Sequence, residues 1–253
     1  MDFNLNLILL LIMAVLIGLL LPRLMMLRKK KSDPNIRILD EGWQKEGEQK
    51  FDEALQLYRK AERHYRTDAA NKAGLAKAVF LQALLYKRLK DYGKAEEYLS
   101  ESMELCRSIN DEESLGHAFV KLAETHEEQK HYKRAMNEYE KAAELFEKLG
   151  LKRHIAYARY RVALSAAAAG HRKTAVDNFG IALNKYRGLE ELDKLADILI
   201  EAGDALWDLG EAGAATETME EALRYLKRTG PKEKAVALRA RLETRTRDIP
   251  VPN

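Results

Sequence analysis

From Pro34 onward, apolar residues recur at spacings of three and four, and short polar or glycine-bearing breaks interrupt them about every twenty residues. Such spacing places the apolar side chains on one stripe of a helix, and the breaks end each stripe. The pattern predicts paired helices over residues 35–48 with 51–66, 69–89 with 92–109, 112–129 with 132–149, 152–169 with 172–188 and 191–209 with 212–228, then a last helix over 231–247. A slower rhythm lies above this one. Around KHYKRAMNEYEKA (130–142), steps of forty from Ala135 reach Ala95, Ala175 and Ala215, and Ala54 lies one residue off the grid. Four residues after each anchor stands a bulky side chain: Tyr58, Leu99, Tyr139, Phe179 or Met219. A small one comes three residues later (Ala61, Ser102, Ala142, Ala182, Ala222), and another precedes each anchor by twelve (Gly42, Ala83, Ala123, Ala163, Gly203). Small groups admit a neighbouring helix closely and large ones fill the next gap, so the order implies a stack of packed helix pairs.

Composition agrees with amphipathic helices: 46% of the 253 residues are hydrophobic and 33% charged, and only five are proline. The single cysteine, Cys106, excludes an internal disulfide framework. The net charge of +3 is local, because residues 1–33 carry five basic side chains against two acidic ones and the remaining 220 residues balance at 38 of each sign. A nucleic-acid partner is therefore not expected.

No charge occurs between Phe3 and Pro22, and Leu24–Leu27 extends the apolar character past Arg23. A helix from about Leu5 to Leu27 is long enough for a bilayer core of roughly 30 Å. The expectation is a transmembrane anchor over 1–27, favoured over a cleaved signal because Asp2 precedes the apolar run and no small-residue exit comes after it. The membrane-flanking cations Arg23, Arg28, Lys29, Lys30 and Lys31 would keep the downstream repeats in the cytoplasm. The expected order is the anchor, a basic junction over 28–35, a repeat domain over 36–229, a capping helix over 230–247 that opens with Pro231 after Gly230, and a tail over 248–253.

The order small, aromatic, small at Ala135, Tyr139 and Ala142 resembles the second helix of the tetratricopeptide repeat family, in a longer, forty-residue form. The resemblance spans about residues 36–229 and implies an all-α, right-handed α-solenoid of about five helix pairs plus the cap. Glu41, Lys45 and Arg159 depart from the family pattern, and the first pair reads as a degenerate cap.

In that family the first helix of each pair lines a groove that holds segments of partner proteins. Carried over by position, the groove rows are Leu39, Phe80, Val120, Tyr160 and Ile200, and Trp43, Leu84, Glu124, Leu164 and Asp204. They lack the lysine and asparagines with which chaperone-tail binders grip a carboxylate. Tyr157, Tyr160, Leu164 and Trp207 suggest an apolar, aromatic lining for an amphipathic helix or hydrophobic peptide. Aromatics at helical spacing are also what a core requires, and Glu124, Glu127 and Glu128 also read as a solvated acidic face.

Nothing in the chain has the spacing of a catalytic or cofactor site. The six histidines do not set two metal ligands on one helix face, and no glycine-rich loop follows a strand. The expectation is a non-enzymatic, membrane-anchored scaffold or adaptor without cofactor, which recruits protein partners. Two alternatives are a regulator of an envelope or lipid biosynthetic enzyme and a self-assembling homo-oligomeric array. The first resembles in architecture the lipopolysaccharide assembly protein B type, although that type ends in paired cysteines.

Overall fold

The computed structural model describes residues 33–247, except 69, 190 and 191. Among the described residues there are eleven helices and no strand: α1 (Pro34–Gly47), α2 (Phe51–Thr67), α3 (Lys72–Arg88), α4 (Tyr92–Ser108), α5 (Glu112–Glu128), α6 (Tyr132–Leu149), α7 (Lys152–Ala168), α8 (Arg172–Arg187), α9 (Leu192–Asp208), α10 (Ala212–Thr229) and α11 (Lys232–Arg247). Each lies within three residues of its expected span. The four-residue connection 68–71, where most others have three, absorbs the extra residue that displaces Ala54 from the grid.

One backbone device sets the period. Gln49, Lys90, Asn110, Lys130, Gly150, Gly170 and Gly210 all have positive φ, between 57° and 80°, and most succeed one another at intervals of twenty. After each, the chain closes the finished helix: the N–H of Asp91 donates to Tyr86 O at 2.9 Å, that of Asp111 to Cys106 O at 2.9 Å and that of His131 to His126 O at 2.8 Å. A left-handed residue after the last turn permits this closure and satisfies a terminal carbonyl. At three of these sites glycine adopts the conformation without cost, whereas lysine, asparagine and glutamine carry the strain of a Cβ. Starts are marked less uniformly. The Asp33, Asp91 and Asp111 carboxylates accept from the N–H groups of Asn35 (2.9 Å), Lys94 (3.2 Å) and Ser114 (3.0 Å), and Pro34 opens α1.

The chain forms two compact units, one ending at Gly74 and one beginning at Leu75. In the first, α1 packs on α2 through Leu39, Tyr58 and Tyr65, all nearly or wholly buried. Gly42 is required here, since a Cβ on it would stand 2.5 Å from the Tyr58 ring. The Tyr58 hydroxyl donates to Glu46 at 3.1 Å and so fixes that ring. Glu41 and Lys45, the departures from the repeat pattern, face away from this core, and Lys45 pairs with Glu53 at 2.9 Å.

The second unit continues the same packing through two overlapping cores, one spanning α3 to α7 and one spanning α7 to α11. The four anchor alanines of this unit, at 95, 135, 175 and 215, are fully buried, as are Leu99, Tyr139 and Met219. A Cβ on Gly203 would come within 2.6 Å of Met219 Cγ, and one on Gly116 within 2.7 Å of the Phe146 ring. Arg159 is half-buried and bridges α6 and α8, reaching Glu147 at 2.8 Å and Asn178 at 3.4 Å.

One expectation is corrected. Among the described residues no helix is long and apolar enough to cross a membrane. The localisation expected above, a single-pass membrane protein with its repeats in the cytoplasm, is withdrawn. Its supporting stretch, 1–27, and the cluster Arg23, Arg28, Lys29, Lys30 and Lys31 lie outside the described residues.

Two kinds of substitution separate the packing constraint from the turn constraint. Gly42→Ala is expected to lower unfolding free energy by about 1–3 kcal/mol, because the tethered Tyr58 ring cannot withdraw; Gly203→Ala should cost less, because a methionine chain can bend aside. Lys130→Gly should instead raise stability by about 0.5–1 kcal/mol by relieving a Cβ at positive φ. Denaturant titration of the three variants checks the order.

Candidate functional site: the face of the first helices

The helices α3, α5, α7, α9 and α11 open successive pairs or close the stack, and their sequences differ in sign. α3 has four basic side chains and no acidic one; α5 has one against five; α7 has four against none; α9 has one against five; α11 has six against two. Their formal charges therefore alternate as +4, −4, +4, −4 and +4. Opposite signs on neighbouring helices bring ion pairs to their shared face.

Between α3 and α5, Lys87 Nζ lies 2.7 Å from Glu124 and 3.3 Å from Glu128, and Lys121 reaches Glu124 from one turn earlier at 3.0 Å. Across to α7, the Tyr157 hydroxyl donates to Glu124 at 3.3 Å. Glu127 accepts from Arg161, from the Ser165 hydroxyl at 2.6 Å and from the Tyr139 hydroxyl at 2.9 Å. The Arg161 guanidinium sits beside two rings, 5.4 Å from the centre of Tyr139 and 5.9 Å from that of Tyr157. Such a cation is held by π electrons as well as by its carboxylate. At the far end, Arg241 and Arg245 of α11 each lie 2.7 Å from Asp204, Lys234 lies 2.7 Å from Asp197, and Arg245 covers the Trp207 ring at 5.3 Å.

Burial and charge act together on these groups. Burial pushes the Glu124 carboxyl up, but the two lysines outweigh it and leave it below the usual range. Burial raises the Tyr157 phenol to about 12, against the pull of Arg161. Burial works against the charge of Arg161, yet Tyr139 and Glu127 hold it more firmly protonated than usual. Glu124, Tyr157 and Arg161 thus keep their ordinary pH 7 forms and offer fixed charges and hydrogen-bonding groups on this face.

The residues expected to line a groove fall into distinct places. Phe80, Leu84, Tyr157 and Leu164 are half-buried on this face, and Glu124 joins Tyr157 there. Tyr160 is 5% exposed and packs with Phe179 and Tyr186, at ring-centre distances of 6.1 and 6.3 Å. Asp204 and Trp207 come together under α11. Trp43 belongs to the first unit and is 71% exposed, the most open large apolar residue described. Lys87, Lys121, Glu127, Arg161, Ser165 and Arg245 also stand on this face, and the repeat pattern does not single them out as groove residues. The alternation of sign, legible once the helices are delimited, is the signal that marks all but Lys121 and Ser165. Among the described residues no three histidine, cysteine or carboxylate side chains converge as a metal site.

Consecutive helices pack as pairs, an arrangement like that of tetratricopeptide-type folds. Residues 75–148, from α3 to α6, match the family model described as tetratricopeptide repeat. No curated protein matches the sequence. Solved structures do match the fold. BtubC from P. vanneervenii is 19% identical with a TM-score of 0.64, and the match covers 84% of this chain and 81% of that one. A putative kinesin light chain from Podosopora anserina with nearly identical TPR-like repeats is 15% identical with a TM-score of 0.66, over 78% of this chain and all of that one. A Rap protein complexed with competence and sporulation factor is 14% identical with a TM-score of 0.58, over 84% of this chain and 64% of that one.

Two histidines tie the stack to pH. Burial lowers the proton affinity of His117, reinforced by His154 with its ring centre 4.9 Å away, and burial likewise lowers that of His126. Both are neutral in the fold and take up protons near the ordinary value of about 6.5 when unfolded. Their contribution is thus complete above that pH and is lost as pH falls toward the depressed folded values. The thermal midpoint should drop between about pH 7.5 and 5.5, and a His117→Phe, His126→Gln variant should show a smaller drop over that interval.

Proposed function

We propose that the chain is a protein-binding scaffold whose first-helix face forms a groove for an extended or helical segment of a partner. The observation that carries this reading is the exposed half of that face. Phe80, Leu84 and Leu164 remain half-open between charged groups already held in place by one another. Apolar pockets bordered by preorganised polar groups suit an amphipathic segment, because little ordering is left to be done on binding. The Rap protein in complex with competence and sporulation factor lends support, as a repeat stack of similar fold that holds a partner. Trp43, in the first unit, would serve as a separate contact, while Asp204 and Trp207, engaged by α11, would shape the end of the groove without touching the partner. Tyr160, packed against Phe179 and Tyr186, would belong to the core under the face and not touch the partner.

A library of random peptides displayed against the full chain tests this reading. Selected peptides are expected to be amphipathic and to lose at least about tenfold in affinity on a Leu84→Ser, Leu164→Ser variant whose helicity is unchanged by circular dichroism. A photo-crosslinking residue at Tyr157 should trap the same peptides. Full affinity for the double variant, with crosslinks only elsewhere, would overturn the groove.

A further inference from the structure

No contact or turn requires Gly180. It stands in the middle of α8, where glycine lowers helix stability relative to alanine. Gly42, Gly116 and Gly203 each face a side chain that leaves no room for a Cβ, but a Cβ on Gly180 would meet nothing within 4 Å, and the backbone there does not take a positive φ. Forty-residue steps from it reach Ser100, Glu140 and Glu220, all of which carry side chains. A destabilising residue that packing does not require points to the space it leaves. Val176, Gly180, Leu183 and Arg187 form one stripe of α8, and across a cleft of about 220 Å³ they face Ala214, Glu217 and Glu221 of α10. The floor is apolar, with Phe179, Leu183 and Leu206 all buried. The rim is acidic. Both oxygens of Glu221 hold Arg187, at 2.8 and 2.6 Å, while Glu217 is exposed, acts on Arg187 only at longer range and forms no ion pair among the described residues. Two carboxylates of the lining thus stand against one guanidinium, and Arg224, which acts on Glu221, lies outside the lining.

We propose that this cleft receives one aromatic side chain of a partner protein, flanked in the partner by lysine or arginine. The cleft is smaller than the roughly 300–1,000 Å³ of sites that enclose whole small molecules, and it has the size of a single bulky side chain. The ring lies over Gly180 against Phe179, Leu183 and Leu206, and the neighbouring cation meets Glu217. One large residue sunk in a pocket is a common centre of a protein interface. The surface belongs to the second helices, so it is separate from the first-helix groove and goes beyond that reading. Acid at the rim selects the partner by sign, since an aromatic residue flanked by carboxylates meets repulsion from Glu217.

The probes are three fluorescent, alanine-based helical peptides titrated into the full chain. The first carries one tryptophan with a lysine one turn to either side, the second has alanine for the tryptophan, and the third has glutamate for both lysines. The first should bind at least about tenfold more tightly than the other two. Gly180→Leu, which fills the cleft, should weaken that binding at least about tenfold while raising the thermal midpoint by about 2–4 °C, because the helix gains and no contact is lost. Glu217→Lys should weaken it at least about tenfold as well. The Leu84→Ser, Leu164→Ser variant should bind it unchanged, which separates this site from the groove. Equal binding of the three peptides, or full affinity on Gly180→Leu or Glu217→Lys, would overturn the proposal. A fall in the midpoint on Gly180→Leu would do the same, since the space would not be free. So would a dimer of the free chain that Gly180→Leu dissolves, which would put a second copy in the cleft.

Discussion

Everything in this chain depends on how closely two helices of a pair can approach. The contact is made by a small residue on the first helix and a large one on the second, seen most directly where Tyr58 lies on Gly42 and Met219 on Gly203. An added methyl at either site overlaps the opposing side chain. Because interiors are packed as densely as organic crystals, such a contact tolerates little change of volume. The forty-residue repetition of small and large groups is therefore a repetition of one interhelical distance. Fully buried anchor alanines at 54, 95, 135, 175 and 215 mark its recurrence.

Connections of two to four residues fix the order of the pairs, and polar contacts add to close packing along the first helices. The alternating charge of the first helices places opposite signs on successive members of the series. Individual exposed pairs, such as Lys234 with Asp197, stabilise by about 0–1 kcal/mol each. The more enclosed cluster of Glu127, Arg161, Ser165 and Tyr139 adds geometry to sign, because the carboxylate is bonded from three directions. Removing one member leaves a partly buried charge short of partners, which costs more than the pair itself provides.

The same alternation divides the face between structure and recognition. Glu124 reads from the sequence as one of three free carboxylates on a solvated face, yet Lys87 arrives from the preceding first helix, 37 positions earlier, and joins Lys121 on it. Tyr160 and Tyr157 stand three residues apart and read alike, but one faces the interior of the pair and the other faces Glu124. Only the packed helices show which aromatic belongs to the core. Asp204 and Trp207 likewise look available until α11 folds over them.

The sequence by itself determined that the chain is helical, where the helices begin and end, and which side chains meet within a pair. Those are properties of neighbours three, four or about twenty residues apart, and local spacing and turn chemistry express them directly. The left-handed closures at Lys90, Asn110, Lys130, Gly150 and Gly170 show how regular that local program is. Only the tertiary structure decided which polar groups neutralise one another across first helices, which of two similar tyrosines is buried, and that α11 shields one end of the face. Those outcomes depend on the rotation of each helix about its axis and on contacts more than thirty residues apart, and a one-dimensional pattern does not contain them.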